Sequence, residues 1–167
     1  MKIFKTTCSL ILSVFITVNA LSQGALTPVS SFGTNPGNLN MYYYAPSGIT
    51  QSVALVVAMH GCTQTASTFS TQSGWNKLAN RHKFIVVYPE QVVANNSSQC
   101  FNWFDATDQS KGQGEDLSIK QMVDYMKAHF AIDTTKIFVT GLSAGAGMTS
   151  VMLATYPQIF NKGAIMP

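Results

Sequence analysis

The sequence predicts an α/β fold with a mostly parallel sheet and helices on both faces, and two observations carry this. The strand candidates are nearly unbroken apolar runs, as in strands buried on both faces; a sheet with one wet face would alternate apolar and polar residues. Between these runs lie segments whose apolar residues recur at helical spacing, so strand and helix alternate along the chain.

In chain order, Asn40–Tyr44 (NMYYY) has strand composition and ends at Ala45-Pro46. Ser52–Met59 (SVALVVAM) is the first buried strand, and His60-Gly61-Cys62-Thr63 closes it as a loop. Gly74–His82 reads as a short amphipathic helix with Trp75, Leu78 and Ala79 on one side. Phe84–Tyr88 (FIVVY) is the next buried strand, halted by Pro89, and a long polar loop runs from Glu90 to about Gly114. Glu115-Asp116 opens a helix, since acidic side chains are favoured in the first turn by the helix dipole. Ile119, Met122, Val123, Met126 and Phe130 share one face of it. Lys136–Thr140 (KIFVT) is a third buried strand, Ala144–Tyr156 a helix of small and apolar residues, and Gly163–Met166 the beginning of another strand.

The 167 residues, 46% apolar and 10% charged, suit one domain with a sizeable core. The formal charge is only +3, and Lys2 and Lys5 lie in the N-terminal segment, so no basic cluster remains to form a nucleic-acid surface. Residues 1–20 read as an export signal: two lysines, the apolar stretch Leu10–Val18, then small residues at Val18 and Ala20. A buried N-terminal helix is the alternative. The apolar run is too short to span a bilayer, which predicts a secreted protein, extracellular or periplasmic, without a stable membrane anchor. Residues 21–37, rich in Ser, Thr, Gly and Pro, read as an extended lead-in. Two cysteines then remain, Cys62 and Cys100. In an oxidising compartment they read as a disulfide, two separate buried thiols being the alternative.

The strongest motif is Gly141-Leu142-Ser143-Ala144-Gly145, a G-x-S-x-G set between a strand and a helix. That context is the nucleophile elbow, in which Ser143 sits on a strained turn and both glycines avoid collision with the adjoining strand and helix. A glycine-rich turn closing onto a helix is the alternative. Acyl transfer needs two N–H donors aimed at the developing oxyanion. One falls to Ala144, after the nucleophile, and the other to Cys62, in the loop after an earlier strand. His60 precedes the nucleophile in a tight strand-end turn and reads as a brace for that loop, with general base as the alternative. A Cys62–Cys100 bridge would tie this loop to Phe101-Asn102-Trp103-Phe104, where Phe101 reads as core and Trp103 as core or one wall of a substrate pocket. His82 and His129 end helices, neither predictably beside Ser143; Asp105 and Asp108 lie in the long loop and could approach the cleft, but a carboxylate without a bridging His cannot complete the relay. The chain has no HExxH, Cys/His metal spacing, Walker loop or dinucleotide fingerprint, so neither a metal nor another cofactor is expected.

The stretches LVVAMHGCTQTA, GWNKLANRHKFIVVYPEQ, NNSSQCFNWF, GQGEDLSIKQMVDYM and IFVTGLSAGAGMTSVMLATYPQIF resemble the extracellular polyhydroxybutyrate depolymerase and feruloyl/acetylxylan esterase group of α/β-hydrolases. The resemblance runs from about Asn35 to the last residue. It implies an α/β-hydrolase fold and a Ser-Asp-His triad that cleaves carboxylic esters without metal or cofactor, the substrate being a polyester or a plant cell-wall ester. The nucleophile carries over to Ser143 and the oxyanion donors to Cys62 and Ala144. The family's Asp and His follow the nucleophile by many residues and have no counterpart before Pro167, so residues 38–167 are expected to be the N-terminal part of a catalytic domain. Two rival readings stand beside a secreted ester hydrolase: an inactive fragment whose cleft only binds a ligand or partner, and a secreted serine peptidase of the same fold.

Overall fold

The computed structural model describes residues 24–167, and the expected export signal, residues 1–20, lies outside them. Six strands form one sheet in the order β1-β2-β4-β3-β5-β6. They are β1 (Thr27–Val29), β2 (Asn40–Tyr44), β3 (Val53–Met59), β4 (Ile85–Glu90), β5 (Ile132–Leu142) and β6 (Lys162–Met166). The expected mostly parallel sheet is present: β3 pairs parallel with β4 and β5, and β5 parallel with β6. Only the β1–β2 and β2–β4 pairs are antiparallel. β1 lies inside the segment expected to be an extended lead-in.

Side-chain alternation along β3 divides the core into two layers. Leu55, Val57 and Met59 face one side with Ile85, Val87, Ile137 and Val139. Helices α3 (Gly114–His129) and α4 (Ala144–Thr155) cover that side through Ile119, Met122, Met126, Met148 and Met152. Val56 and Ala58 face the other side with Val86 and Tyr88, beneath α1 (Ala66–Ser73) and α2 (Trp75–His82). Strands buried on both faces explain the continuous apolar runs.

Four details depart from the sequence expectations. Helix α1 is an addition to them; Thr65 caps it by accepting from Thr68 N–H, and Gly74, at φ 76°, turns the chain from α1 into α2. In α2 the buried side chains are Asn76 and Ala79, whereas Leu78 is 42% exposed. Asn76 is there because its Oδ1 accepts from the buried Tyr88 hydroxyl at 2.6 Å. Pro89 does not halt β4, which continues to Glu90 against β2. The ladder between β4 and β3 ends at Val87, so the missing proline N–H removes no bond on that side. Strand β5 runs further at both ends than Lys136–Thr140 and delivers the chain directly to Ser143.

Candidate active site

The parallel strands β3 and β5 end level with each other, Met59 opposite Gly141. The His60–Thr63 loop beyond β3 and the turn at Ser143 beyond β5 therefore meet at one sheet edge. Ser143 has φ 54° and ψ −116°, outside the regions an L-residue ordinarily adopts. Its side chain is exposed, and its Oγ meets no hydrogen-bond partner among the described residues. The strained turn is held on both sides: Ser143 N–H donates to Met166 O at 2.9 Å, and Ser143 C=O accepts from Ala146 and Gly147 N–H.

The two glycines of the motif are set by close approach. A Cβ on Gly145 would lie 2.5 Å from Met59 O and 2.6 Å from His60 O, and one on Gly141 would overlap the Gly145 carbonyl. Helix α4 thus rests on the end of β3 with no room for a methyl group. Gly61 sits across from Ser143, where an added Cβ would be 3.5 Å from Ser143 Cβ. Cys62 follows Gly61 and Ala144 follows Ser143, and neither of their N–H groups has an acceptor among the described residues.

Cys62 and Cys100 are joined in a disulfide that fastens the loop after β3 to the long loop 91–113. Thr63 N–H donates to Ser98 O at 2.7 Å beside it. Phe101 is fully buried and its ring lies 4.9 Å from the imidazole of His60. Trp103 is 44% and Phe104 61% exposed, their rings edge to face at 5.8 Å. Trp103 lies on α4 at Gly147 and borders a groove of about 360 Å³ formed with Gln109, Ser150, Val151, Ala154 and Thr155.

His60 is buried, with both ring nitrogens engaged: Nδ1 lies 2.7 Å from Gly61 O and Nε2 accepts from Gln91 N–H at 3.1 Å. This places its proton on Nδ1, and burial lowers its pKa, so the ring is held neutral. His82 and His129 precede β4 and β5, at the amino ends of the parallel strands. Ile85 is level with Leu55, and Leu55 with Ile137, which puts the start of β4 about 20 Å before Ser143 at roughly 3.3 Å per residue. Asp105 accepts from Thr107 N–H within its own loop, and Asp108 accepts from Glu115 N–H at 2.9 Å. No described histidine is thus free to serve Ser143 as a base. Among the described residues no group of three His, Cys, Asp or Glu side chains has the arrangement to hold a metal ion, and no helix is long and apolar enough to cross a membrane.

Sequence reasoning missed one member of this region. Glu115 is 1% exposed at the start of α3; its carboxylate accepts from Gln91 Nε2 and from Asn102 N–H at 2.9 Å. Burial pushes its pKa up to about 7, against the hydrogen bonds from Gln91 and Asn102. An acidic residue in a first helical turn ordinarily points to solvent, so only its place in the fold reveals it.

The chain is similar to known depolymerases and esterases. The chain is 58% identical over 151 residues to poly(3-hydroxyalkanoate) depolymerase C of Paucimonas lemoignei, covering 90% of this chain and 36% of that protein. It is 38% identical over 141 residues to feruloyl esterase B of Talaromyces stipitatus, covering 84% of this chain and 38% of that one. The solved acetyl xylan esterase of Aspergillus awamori superposes with a TM-score of 0.78 at 37% identity, over 84% of this chain and 50% of the other. The chain thus spans about a third to a half of these relatives, and the fold is that of the α/β-hydrolase esterases. The family described as Esterase PHB depolymerase matches residues 39–166, and the chain belongs to that family.

Proposed function

We propose that this chain carries the nucleophile and oxyanion half of a secreted carboxylic ester hydrolase of the polyhydroxybutyrate-depolymerase type. The observation that carries the reading is Ser143 itself: a strained, exposed serine with an unpartnered hydroxyl, next to Gly61, with the N–H groups of Cys62 and Ala144 unpaired among the described residues. In this reading Ser143 Oγ attacks the ester carbonyl, whose oxygen accepts from the two N–H groups as it becomes an oxyanion. The alcohol departs with a proton, leaving an acyl-Ser143 ester that water hydrolyses. Trp103 and the adjoining groove along α4 are assigned to the substrate, a polyester or a plant cell-wall ester. Neither a metal nor another cofactor takes part.

A serine hydroxyl needs a base, and His60 is committed to the loop while His82 and His129 stand at the far edge of the sheet. The Asp and His of the triad are therefore assigned to sequence after Pro167, and the 167 residues alone to negligible turnover. Two proteins test this: the chain as it stands, and the gene product of full family length. The longer protein is expected to hydrolyse p-nitrophenyl butyrate and to label with a fluorophosphonate at Ser143, both abolished by Ser143→Ala. Vigorous turnover by the 167 residues alone would overturn the triad assignment, and cleavage of a peptide anilide in place of the ester would turn the reading to a peptidase.

A further inference from the structure

The Gly61 carbonyl and the Cys62 N–H belong to one peptide unit. That unit is planar and trans, so its C=O and N–H point in opposite directions, and whatever grips the carbonyl also aims the N–H. The Gly61 carbonyl accepts from His60 Nδ1 at 2.7 Å. His60 is held in turn, because its Nε2 accepts from Gln91 N–H at 3.1 Å.

Gln91 has no freedom left. Its Oε1 accepts from Val92 N–H at 3.0 Å and from Asn95 Nδ2 at 2.8 Å. Its Nε2 donates to Cys100 O at 3.1 Å and to Glu115 Oε1. The other Glu115 oxygen accepts from Asn102 N–H, in the residue before Trp103. One buried carboxylate therefore grips the long loop 91–113 at two points, Gln91 and Asn102, on either side of Cys100. Each of its oxygens faces an N–H donor, which only a side chain with two acceptors satisfies. Keeping a carboxylate out of water is costly, and apolar packing would be the stabilising choice here were burial alone at stake.

We propose that Glu115, Gln91 and His60 form a positioning relay that aims the Cys62 N–H at the oxyanion of the Ser143 reaction. The proposal rests on the ester-hydrolase reading above. None of the three touches substrate; they act through the Gly61–Cys62 peptide. Because an oxyanion donor acts on the transition state more than on the bound ester, loosening the relay lowers kcat and leaves KM nearly unchanged.

Glu115→Gln tests the relay in the full-length gene product, because an amide offers one acceptor where two donors must be met. The expected result with p-nitrophenyl butyrate is a fall in kcat of about tenfold or more, since a misaimed donor costs less than the roughly hundredfold or more of one removed outright, with KM within about twofold. Glu115→Asp, which keeps both acceptors, is expected to recover part of the loss. Unchanged kcat in a folded Glu115→Gln protein would overturn the relay while leaving the esterase reading intact. Absence of any Ser143-dependent turnover in the wild type would overturn both. Should Glu115→Gln fail to fold, nitrogen NMR of the wild type decides the matter: phosphonylation of Ser143 is expected to shift the Cys62 amide and the His60 ring nitrogens together. A shifted Cys62 amide with unmoved His60 nitrogens would overturn the relay.

Discussion

The indole of Trp103 lies against the backbone of Gly147, so closely that a Cβ on residue 147 would fall 2.6 Å from the ring. Gly147 follows Ser143 by four residues, about one turn of α4, which holds the exposed aromatic pair of Trp103 and Phe104 within about one helical turn of Ser143. Trp103→Ala should therefore raise KM for long acyl esters more than for acetate, by about fivefold to tenfold if the groove along α4 holds the acyl chain. Gly147→Leu should do the same by displacing the indole. Steady-state kinetics over a series of p-nitrophenyl esters checks both, and equal effects on every chain length would remove Trp103 from the substrate site.

Gly145→Ala should be among the most damaging single changes in the chain. The new methyl would meet two backbone carbonyls, those of Met59 and His60, and neither can swing aside as a flexible side chain would. Overpacking of this kind typically costs about 1–3 kcal/mol, and rigid backbone puts this site at the upper end. Urea unfolding of the folded variant would measure the loss.

The disulfide closes a loop between positions 38 residues apart, which in the chain-entropy model is worth about 4 kcal/mol. Cys100→Ser should lower stability by a comparable amount. It should also lower activity at temperatures where the protein is still fully folded, because the bridge fixes the loop that bears the Cys62 N–H. Circular dichroism and ester hydrolysis at the same temperature separate the two effects.

Glu115 gives stability a definite pH dependence. Its carboxyl, raised to about 7 by burial, holds a proton in the native state at pH values where the unfolded chain, near 4.5, has lost it. Its contribution therefore falls as pH rises from about 4.5 to 7 and is flat above. His60 works in the opposite sense: burial lowers its pKa from 6.5, so stability is full above that value and is lost as pH falls below it. The difference in unfolding free energy between wild type and Glu115→Gln isolates the first effect. Wild type should lose ground to the variant between pH 5 and 7, and a difference independent of pH would contradict the assignment.

The sheet was legible because strands buried on both faces leave a one-dimensional mark, an apolar run such as Ser52–Met59, that needs no knowledge of neighbours. The elbow was legible because close backbone approach admits only glycine at Gly141 and Gly145. Helix α1 was not: its residues, ASTFSTQS, are mostly Ser and Thr, weak helix formers, and its start at Thr65 is a cap recognisable only once the helix exists. Leu78 was misplaced because an eight-residue helix has too few turns to define its buried face, and the hydroxyl of Tyr88 drew Asn76 inward instead. Glu115 was invisible for a related reason. Its partners Gln91 and Asn102 stand 24 and 13 residues away in sequence, and no local pattern encodes such a meeting.

The hydrogen bond from Ser143 N–H to Met166 O has a consequence for the timing of biogenesis. A residue held in a sparsely populated backbone region relaxes unless its surroundings hold it there, at a cost of about 1–3 kcal/mol. Part of that hold comes from β6, the last strand to leave the ribosome among those described. A nascent chain that has emerged only as far as α4 already contains the entire G-x-S-x-G motif, yet lacks this hold on its serine. Ser143 is therefore made before it is readied, so a ribosome-bound chain stalled before Lys162 should react with a fluorophosphonate more slowly than one stalled beyond Met166.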